Sequence, residues 1–509
     1  MDSADIAIIG SGAAASTTLI ALFVKLLEEP PQKKLHVTII EKHPEFFKGI
    51  PYGSRSSINA LTITSVADFV SVEKEKKLFN EWLKLNQDEW VNYYRLNGGL
   101  AAKLWLENNL ALVEKEQWSD VYLPRFVFGI YMQNRLLELL QQVEDRQLAK
   151  INLIQAEAIA IKLNASADYE VTLAHPDKKT TTIKAKKLVV AIGSAPVKEN
   201  GKDDANEHFV YINDLYYPSV DDNLKTVQSS LQKATADYRN ILIIGSNASC
   251  IELLYLLNNR PDILIDINKI ITISRAGIMP YHISEAELDD YPTLNLNEVK
   301  SRDNYDVHTL FDATKKDIAA AIQDTAIIPH LNKIIGYTIE LLQVLDEQAK
   351  RIFFSVYGPQ ITKLIRRSGP AYKGASDNLI GINKLQTFKG NFLSLETGAN
   401  GGVMNYIGAD NVQQKYPLTF KAIINCSGSN KLRESSSPLL YNLINNKVCD
   451  LTISGEGILV NEKFEAAPNL YIMGPLLAGN MNKLIHFWHL ENVSRLLYLA
   501  PFLANELVK

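Results

Sequence analysis

The feature that most constrains the fold is a glycine-rich turn between a strand and a helix near the start of the chain. Residues 5–9 form a short run rich in β-branched residues, and Gly10-Ser11-Gly12-Ala13-Ala14-Ala15 follows. An apolar-periodic stretch then continues to Leu27, and a second apolar strand, LHVTII, ends at Glu41. The order of strand, turn, helix, strand and acid predicts a βαβ unit that binds a dinucleotide.

Each residue type in this turn suits one part of a nucleotide. Gly10 permits the tight turn, Gly12 lets the backbone approach a pyrophosphate, and Ala15 keeps the helix close to the sheet. Ala13 belongs to the same turn, where the helix N-terminus offers N–H groups to phosphate. Glu41 can accept both ribose hydroxyls and repels a 2′-phosphate, so this site predicts FAD or NAD rather than NADP. A glycine-rich turn alone is a weak signal, but two strands, a helix and an acid in register favour the nucleotide site.

The same order recurs around Gly245, with fewer glycines. RNILIIG reads as a buried strand, SNASCIELLYLLNNR as a helix and KIITISRAG as a second strand. Asn247 stands where a second glycine would admit a pyrophosphate, and Cys250 replaces the third small residue. Because asparagine tolerates positive φ better than most residues, we expect the turn to survive with its pyrophosphate affinity in doubt.

The second strand of this repeat ends at Ser274-Arg275 rather than at an acid. A hydroxyl beside a guanidinium suits a 2′-phosphate, so this site predicts NADPH. The alternative for Arg275 is a solvated charge at a strand end.

Composition excludes several classes of protein. A chain of 509 residues and 57.0 kDa predicts two or three domains. A net charge of -4 argues against nucleic acid as a partner. The first residues lack the basic region of a signal peptide, and no apolar run is long enough for a membrane span, so we expect a cytoplasmic protein. Cys250, Cys426 and Cys449 form no CxxC pair, so we expect no sequence-local dithiol centre.

Two further segments carry a family resemblance. Residues 48–71 contain Gly49-Ile50-Pro51-Tyr52-Gly53 and then Asn59, and residues 122–136 place Pro124-Arg125 before a helix. The chain resembles the bacterial FAD-NAD(P)-binding family, which has a G-x-x-Y-G … L-N segment and a P-R-x-x-x-G-x-Y segment, and more distantly the flavin-containing monooxygenases and siderophore N-hydroxylases. The resemblance implies that Tyr52, Asn59 and Arg125 lie on the flavin side. The alternative for Arg125 is a surface charge at a helix start.

The resemblance also gives a meaning to three later glycines. Residues 151–198 and 382–429 each read as a β-meander whose last strand ends in a glycine, Gly193 and Gly428. In two-nucleotide flavoproteins such strands return the chain to a Rossmann sheet, and the glycine passes close to the nucleotide. Gly474 and Asn480 resemble the C-terminal turn that approaches the flavin ring and ribityl chain. Two unrelated meanders are the alternative.

We therefore predict an α/β protein with two Rossmann-like dinucleotide-binding domains of the three-layer ββα type. The second is expected to be inserted in the first. The FAD-binding domain would then comprise two segments, residues 1–205 and 382–509, and the NADPH-binding domain would span residues 206–381 with a helical insertion. We expect substrate selection in residues 281–381, where Arg366 and Arg367 are either a remnant of an Arg/His-rich family element or a solvated helix end.

The function implied is that of an FAD-dependent oxidoreductase, an NADPH-dependent monooxygenase acting on a small molecule. A flavin reductase without oxygenation and a non-catalytic flavin-binding protein are the alternatives. His486 and His489 are spaced i, i+3, but without a third ligand we expect helix packing rather than a metal site. No catalytic residue, substrate or oligomeric state follows from the sequence.

Overall fold

The computed structural model describes residues 3–165, 167–198, 208–282, 292–324, 328–485, 488 and 492–509. The strands are β1 (Ser3–Ile9), β2 (Leu35–Glu41), β3 (Ala149–Gln155), β4 (Glu157–Leu163), β5 (Tyr169–Ala174), β6 (Thr180–Val190), β7 (Val210–Ile212), β8 (Asn240–Ile244), β9 (Lys269–Ser274), β10 (Tyr281–His282), β11 (Arg367–Ser368), β12 (Leu385–Lys389), β13 (Asn391–Gly398), β14 (Gly401–Ile407), β15 (Gln413–Phe420), β16 (Ala422–Asn425), β17 (Glu465–Ala467) and β18 (Leu470–Ile472).

The helices alternate with these strands and also form a separate group before residue 370. They are α1 (Ala13–Glu28), α2 (Gly49–Tyr52), α3 (Val66–Phe69), α4 (Glu73–Leu85), α5 (Gln87–Asn97), α6 (Gly99–Glu114), α7 (Arg125–Asp145), α8 (Val220–Gln232), α9 (Ala248–Asn258), α10 (Pro261–Leu264), α11 (Leu294–Lys300), α12 (Val307–Asp324), α13 (Ile328–Gln343), α14 (Glu347–Ile352), α15 (Gly358–Leu364), α16 (Pro370–Gly381), α17 (Pro438–Asn445) and α18 (Val493–Val508). A π-helical turn, Phe353–Tyr357, joins α14 to α15.

The first sheet is built around the N-terminal strand. Its order is β17-β18-β6-β1-β2-β3, with β1, β2, β3, β6 and β18 parallel to their neighbours and β17 antiparallel at the edge. β1 is buried from Ile6 to Ile9, which is why its residues are apolar without alternation. α1 packs against α7 and α18. The predicted meander is present as β4, β5 and the first half of β6.

The second sheet has the order β12-β9-β8-β16-β7, and all its strands run parallel. Successive residues of β8 enter different cores: Ile241 and Ile243 join the main core, whereas Leu242 and Ile244 pack with Met404. That second core lies under the antiparallel sheet β13-β14-β15. Helices cover one face and a meander the other, so the three-layer ββα architecture is confirmed.

The expected division at residue 382 differs from the strand pairing. β12 and β16 extend the second sheet, through Leu385 opposite Ile270 and Ala422 opposite Ile241. The chain rejoins the first sheet only at β17 and β18. A short apolar parallel strand has no sequence feature that tells which of two parallel sheets it joins. The domain bounds given above stay a prediction.

The helical insertion forms a core of its own. Leu310, Ile334, Leu342 and Phe353 pack together there with Trp488, which comes from the C-terminal segment. α4 to α6 form a second helical region that no sequence motif predicted. Within the described ranges no helix is long and apolar enough to cross a membrane.

Candidate cofactor sites at two fingerprint turns

The first turn leaves no room for a side chain at Gly10. Its φ is +96°, and a Cβ there would lie 2.4 Å from the carbonyl oxygen of Ala191, at the end of β6. The Gly10 N–H donates to the carbonyl of Ile40 at 2.8 Å. The turn is therefore wedged between the ends of two parallel strands, and only glycine fits both the dihedral and the space.

Gly12, in contrast, faces space that a ligand can occupy. It precedes α1 in an extended conformation, φ -72° and ψ -170°, and no described side chain caps the helix. A Cβ at Gly12 would touch only the Cα of Gly49, at 3.5 Å. The first N–H groups of α1, from Ala13 onward, thus remain available to a phosphate. Ala15 is completely buried, as close helix packing requires.

Gly49 is a neighbour of this turn whose role was not predicted from the sequence. It has φ +64°, and a Cβ there would lie 2.8 Å from the Cα of Gly12. The glycine motif around residue 49 therefore brings α2 onto the fingerprint turn. The glycine itself was visible within residues 48–71, but its partner could not be read from sequence.

The Glu41 carboxylate is fixed at the end of β2. It accepts hydrogen bonds from the Ser11 N–H at 2.8 Å, the Ser11 hydroxyl at 2.9 Å and the His43 N–H at 3.0 Å. A carboxylate offers about four lone-pair sites, so acceptor capacity remains for ribose hydroxyls. Ser11 was not predicted as a site residue; it orients the acid. The donors, the open space above Gly12 and this carboxylate fit an adenosine diphosphate moiety such as that of FAD.

The two return glycines also face open space. Gly193 follows β6 with φ +80° and Gly428 follows β16 with φ +91°, and a Cβ at either position would meet no described atom within 4 Å. Gly474 has φ +89°, and a Cβ there would lie 2.8 Å from the Ala14 Cβ at the start of α1. The structure thus brings Gly193 and Gly474 to the first turn and Gly428 to the second.

The second turn repeats the backbone of the first. Gly245 has φ +108°, and a Cβ there would lie 2.2 Å from the carbonyl oxygen of Cys426. Asn247 has φ -97° and ψ -158°, so the turn forms with an extended backbone at this position, which accepts any residue and does not need the tolerance of asparagine for positive φ. The consequence of Asn247 is confined to its side chain, which stands at the N-cap of α9. Cys250 is completely buried behind it.

The strand end of the second unit carries hydroxyls in place of the acid. The Ser246 and Ser274 hydroxyls lie 2.9 Å apart, and the Gly277 N–H donates to the Ser274 oxygen at 3.1 Å. The Arg275 side chain is exposed. Lys389 ends β12 opposite Ser274, and a Cβ at Gly277 would lie 2.6 Å from the Lys389 Cβ. Two cations therefore flank this strand end, and Lys389 was missed because it is distant in sequence.

Arg125 forms an ion pair with Glu252 on α9. Its guanidinium also donates to the Ser56 hydroxyl at 2.9 Å, while the Tyr216 hydroxyl donates to Glu252 at 3.2 Å. Burial alone would lower the pKa of Arg125, but the Glu252 carboxylate raises it above its ordinary value. Arg125 thus joins the first unit to the helix that starts at the second turn and is not a surface charge, and its buried Nε has no hydrogen-bond partner among the described residues.

A second polar connection lies beside this pair. The Arg55 guanidinium lies 2.7 Å from His43 Nε2, donates to the carbonyl of Tyr216 at 2.7 Å and is 3.6 Å from the Asp214 carboxylate. Burial, and then the charge of Arg55, lower the pKa of His43. The strand end that carries Glu41 is therefore linked through polar side chains to the second unit.

Two other predicted site residues are engaged within the protein. Asn480 donates to the carbonyls of Ile458 and Leu477 and accepts from the Val460 N–H, so its amide holds loops together. The Tyr52 ring packs on Phe128, 5.1 Å between centroids.

Asn59 lies on the segment that precedes α3. Its Oδ1 is buried and has no hydrogen-bond partner in the described residues of the chain. The expected position of Asn59 on the flavin side stays a prediction.

The cysteines are buried free thiols. Cys250 and Cys426 come together behind the second turn, where burial raises both of their pKa values. Burial likewise raises the pKa of Cys449 to about 12. A redox-active thiol needs a lowered pKa and access to solvent, and these three have neither. His486 and His489 lie outside the described residues.

Comparisons with known proteins agree with this geometry. Residues 7–195 match the FAD-NAD(P)-binding family. The chain is 34% identical over 511 residues to uncharacterised proteins of Mycobacterium tuberculosis and Mycobacterium bovis, covering 99% of this chain and 95% of theirs.

Two solved structures share the fold over nearly their whole length. The FAD-bound cadaverine monooxygenase of desferrioxamine biosynthesis from Erwinia amylovora gives a TM-score of 0.59 at 14% identity, covering 100% of this chain and 95% of that one. The Kutzneria sp. 744 ornithine N-hydroxylase, with reduced FAD, NADP+ and L-ornithine, gives 0.55 at 15% identity, covering 99% of both chains. Together with the mycobacterial proteins, the chain thus belongs to the FAD-NAD(P)-binding family.

Proposed function

We propose that the protein is an NADPH-dependent flavin monooxygenase that hydroxylates the amine nitrogen of a small molecule. The observation that carries the proposal is a likeness that spans the whole chain, helical insertion included, to a cadaverine monooxygenase and an ornithine N-hydroxylase. Bound FAD would supply the redox chemistry, with NADPH as the source of hydride and O₂ as the oxidant.

The residues of this chain would bind and orient the two nucleotides. The N-terminus of α1 and Gly12 receive the FAD pyrophosphate, and Glu41 holds the adenosine ribose. We assign FAD to the first sheet, residues 1–205 with β17 and β18, and NADPH to the second sheet. Arg275 and Lys389 offer the second site two positive charges for a 2′-phosphate, whereas Glu41 repels one at the first.

Two measurements test this function. The purified protein should be yellow, and anaerobic NADPH should bleach the flavin absorbance in a stopped-flow instrument. In air, candidate amines such as cadaverine, L-ornithine and L-lysine should raise NADPH consumption and yield hydroxylamine product. Flavin reduction without product, with hydrogen peroxide formed in full proportion to NADPH, would favour the reductase; no reduction by NADPH or NADH would favour the binding protein.

A third test asks whether turnover depends on a cysteine thiol, as it would if the protein were a disulfide reductase. The three cysteines are buried with raised pKa values, so a triple Cys→Ala variant should turn over as the native protein does. A folded triple variant that binds FAD and is reduced by NADPH, but no longer turns over, would contradict the monooxygenase assignment.

A further inference from the structure

Arg367 is a partly buried cation without a counter-ion among the described residues. It lies in β11, which pairs with β10 through its backbone. Its Nη1 atom is enclosed and has no hydrogen-bond acceptor, and no described carboxylate forms an ion pair with its guanidinium. This differs from Arg125, whose guanidinium is buried against Glu252. An enclosed charge without a partner is unfavourable, so folded proteins retain such groups mainly where a ligand uses them.

The surroundings of Arg367 only partly compensate its charge. Burial lowers the pKa of Arg367, and the Asp68 carboxylate and the Tyr122 hydroxyl offset this only in part. Asp68 lies on α3 and is not within ion-pair distance. Among the described residues, Nη1 of this guanidinium therefore lacks an acceptor, and an anionic ligand would supply one.

The position of Arg367 connects the helical insertion to the first nucleotide unit. The segment that follows it covers residues 60–63: a Cβ at Gly369 would lie 3.5 Å from the carbonyl of Ile63 and 3.1 Å from the Tyr122 ring. The Tyr372 hydroxyl bonds both the N–H and the carbonyl of Leu61, at 2.9 Å each. Arg367 is thus held at a packed junction of two units, with part of its surface exposed.

A second polar group in the same junction is also unused. The Thr62 hydroxyl is buried and has no partner among the residues described. α3, which carries Asp68, places Phe69 against Tyr52 with 6.3 Å between ring centroids, and Tyr52 closes α2 beside the first fingerprint turn. The junction therefore adjoins the proposed flavin unit and contains a planar cationic donor and a hydroxyl that the described residues leave unpaired.

We propose that Arg367 binds the carboxylate of the substrate, so that the preferred substrates are amines that also carry a carboxylate. A guanidinium matches a carboxylate through two parallel N–H···O bonds. The identity of this ligand as substrate rests on the proposed function; the anion site itself does not.

The first test measures thermal unfolding of the flavin-loaded protein with acetate, glutarate or inorganic phosphate. Carboxylates should raise the midpoint temperature of unfolding of the native protein. Without any anion, the Arg367→Met protein should unfold at a higher temperature than the native protein, and carboxylates should not change its midpoint. Lys363→Met, an exposed change on α15, is the matched control and should behave as native. An Arg367→Met protein that is less stable than native, or that responds to carboxylates as native does, overturns the site. A response to phosphate alone overturns the carboxylate assignment.

The second test asks whether the ligand is the substrate, using pairs that differ by one carboxylate. L-lysine and cadaverine, and L-ornithine and putrescine, are titrated against oxidised protein by flavin difference spectra, without nicotinamide or turnover. Native protein should bind the amino acid of at least one pair roughly ten-fold more tightly, as expected for one charge-assisted hydrogen-bonded contact, and Arg367→Met should remove the difference. Equal binding within both pairs, or no binding, overturns the substrate assignment. Because this test measures binding and not flavin reduction, its outcome can be distinguished from a failure of the monooxygenase proposal.

Discussion

The two fingerprint turns have the same backbone and different chemistry. Gly10 and Gly245 both have positive φ, +96° and +108°, and both press against the carbonyl that ends a parallel strand. The residue that precedes each helix is extended in both units, although one is Gly12 and the other Asn247. The first glycine therefore determines whether the turn forms, and the second position determines only what can approach it.

The ends of β2 and β9 differ in the side chain that each offers to the turn. In the first unit Ser11 bonds the Glu41 carboxylate, and in the second Ser246 meets the Ser274 hydroxyl at the same place. Exchange of an acid for a hydroxyl leaves the polar contact between turn and strand in place. It changes the charge offered to a ribose, which is what distinguishes an unphosphorylated nucleotide from a 2′-phosphorylated one.

The largest expected effect comes from breaking the pair that joins the two units. Arg125→Met leaves the buried Glu252 carboxylate without its cation, and should lower the free energy of unfolding by about 4 kcal/mol. Arg125→Met combined with Glu252→Met removes both charges and should recover most of that loss. Urea unfolding of the three proteins measures it; a double variant no more stable than the single one would show that Arg125 acts through other contacts.

Because Gly10 and Gly245 have the same backbone geometry, substitution of either should lower the stability of the protein by a similar amount. Gly10→Ala and Gly245→Ala each force a Cβ against a carbonyl oxygen at positive φ, and each should cost about 3 kcal/mol of stability. Gly374→Ala, in a helix with no atom within 4 Å of the new Cβ, is the control and should not destabilise. Chemical denaturation compares them, and tolerance of Gly245→Ala alone would break the equivalence.

Substitutions at the residues that precede the two helices, Gly12 and Asn247, should differ in their effect on FAD affinity. Gly12→Val fills the space assigned to the FAD pyrophosphate, so titration of the apoprotein with FAD should show roughly 100-fold weaker binding. Asn247→Val replaces one side chain by another at an extended backbone position and should leave FAD affinity unchanged. Full flavin occupancy in a folded Gly12→Val protein would remove the first site from that turn.

The smallest expected effect is on the choice between NADPH and NADH, and it comes from the cations at the strand end of the second unit. Arg275→Ala should lower kcat/KM for NADPH by roughly ten-fold to a hundred-fold and leave NADH unaffected, because one charge-assisted contact to the 2′-phosphate is lost. Lys389→Ala should act in the same direction. Stopped-flow reduction with both nucleotides decides the matter; equal efficiencies in native protein would refute the role of both cations.

The regions that could be predicted from the sequence are those whose motif residues lie close together in the chain. In each unit the strand, the glycine turn and the helix are consecutive in the chain, over residues 3–28 and 240–258, and Glu41 or Ser274 follows at a similar distance. Pairings across long stretches of chain were not predictable: Glu252 with Arg125, Lys389 beside Ser274, and Gly49 against Gly12. Each depends on which elements the fold brings together, and the residues themselves are ordinary charges and glycines.

The strand pairing around residue 382 was not predictable for the same reason. β12 and β16 are short apolar strands, and such a strand fits the interior of either parallel sheet. The helices α4 to α6 were missed because no motif marked them, although Trp90 and Trp105 are buried there.

The pairing of β18 with β6 has a consequence for synthesis of the chain. Val190 is added long before Ile472, its partner in the first sheet, and at about 5–20 residues per second the interval is roughly tens of seconds. During that time β6 has an open edge on the ribosome-bound chain, and an open parallel strand is a site for mispairing. Residues 240–425, in contrast, contain four neighbouring strands of the second sheet, β8, β9, β12 and β16. The second sheet can therefore complete these pairings before the first sheet, in which β6 gains its partner β18 only near the end of synthesis.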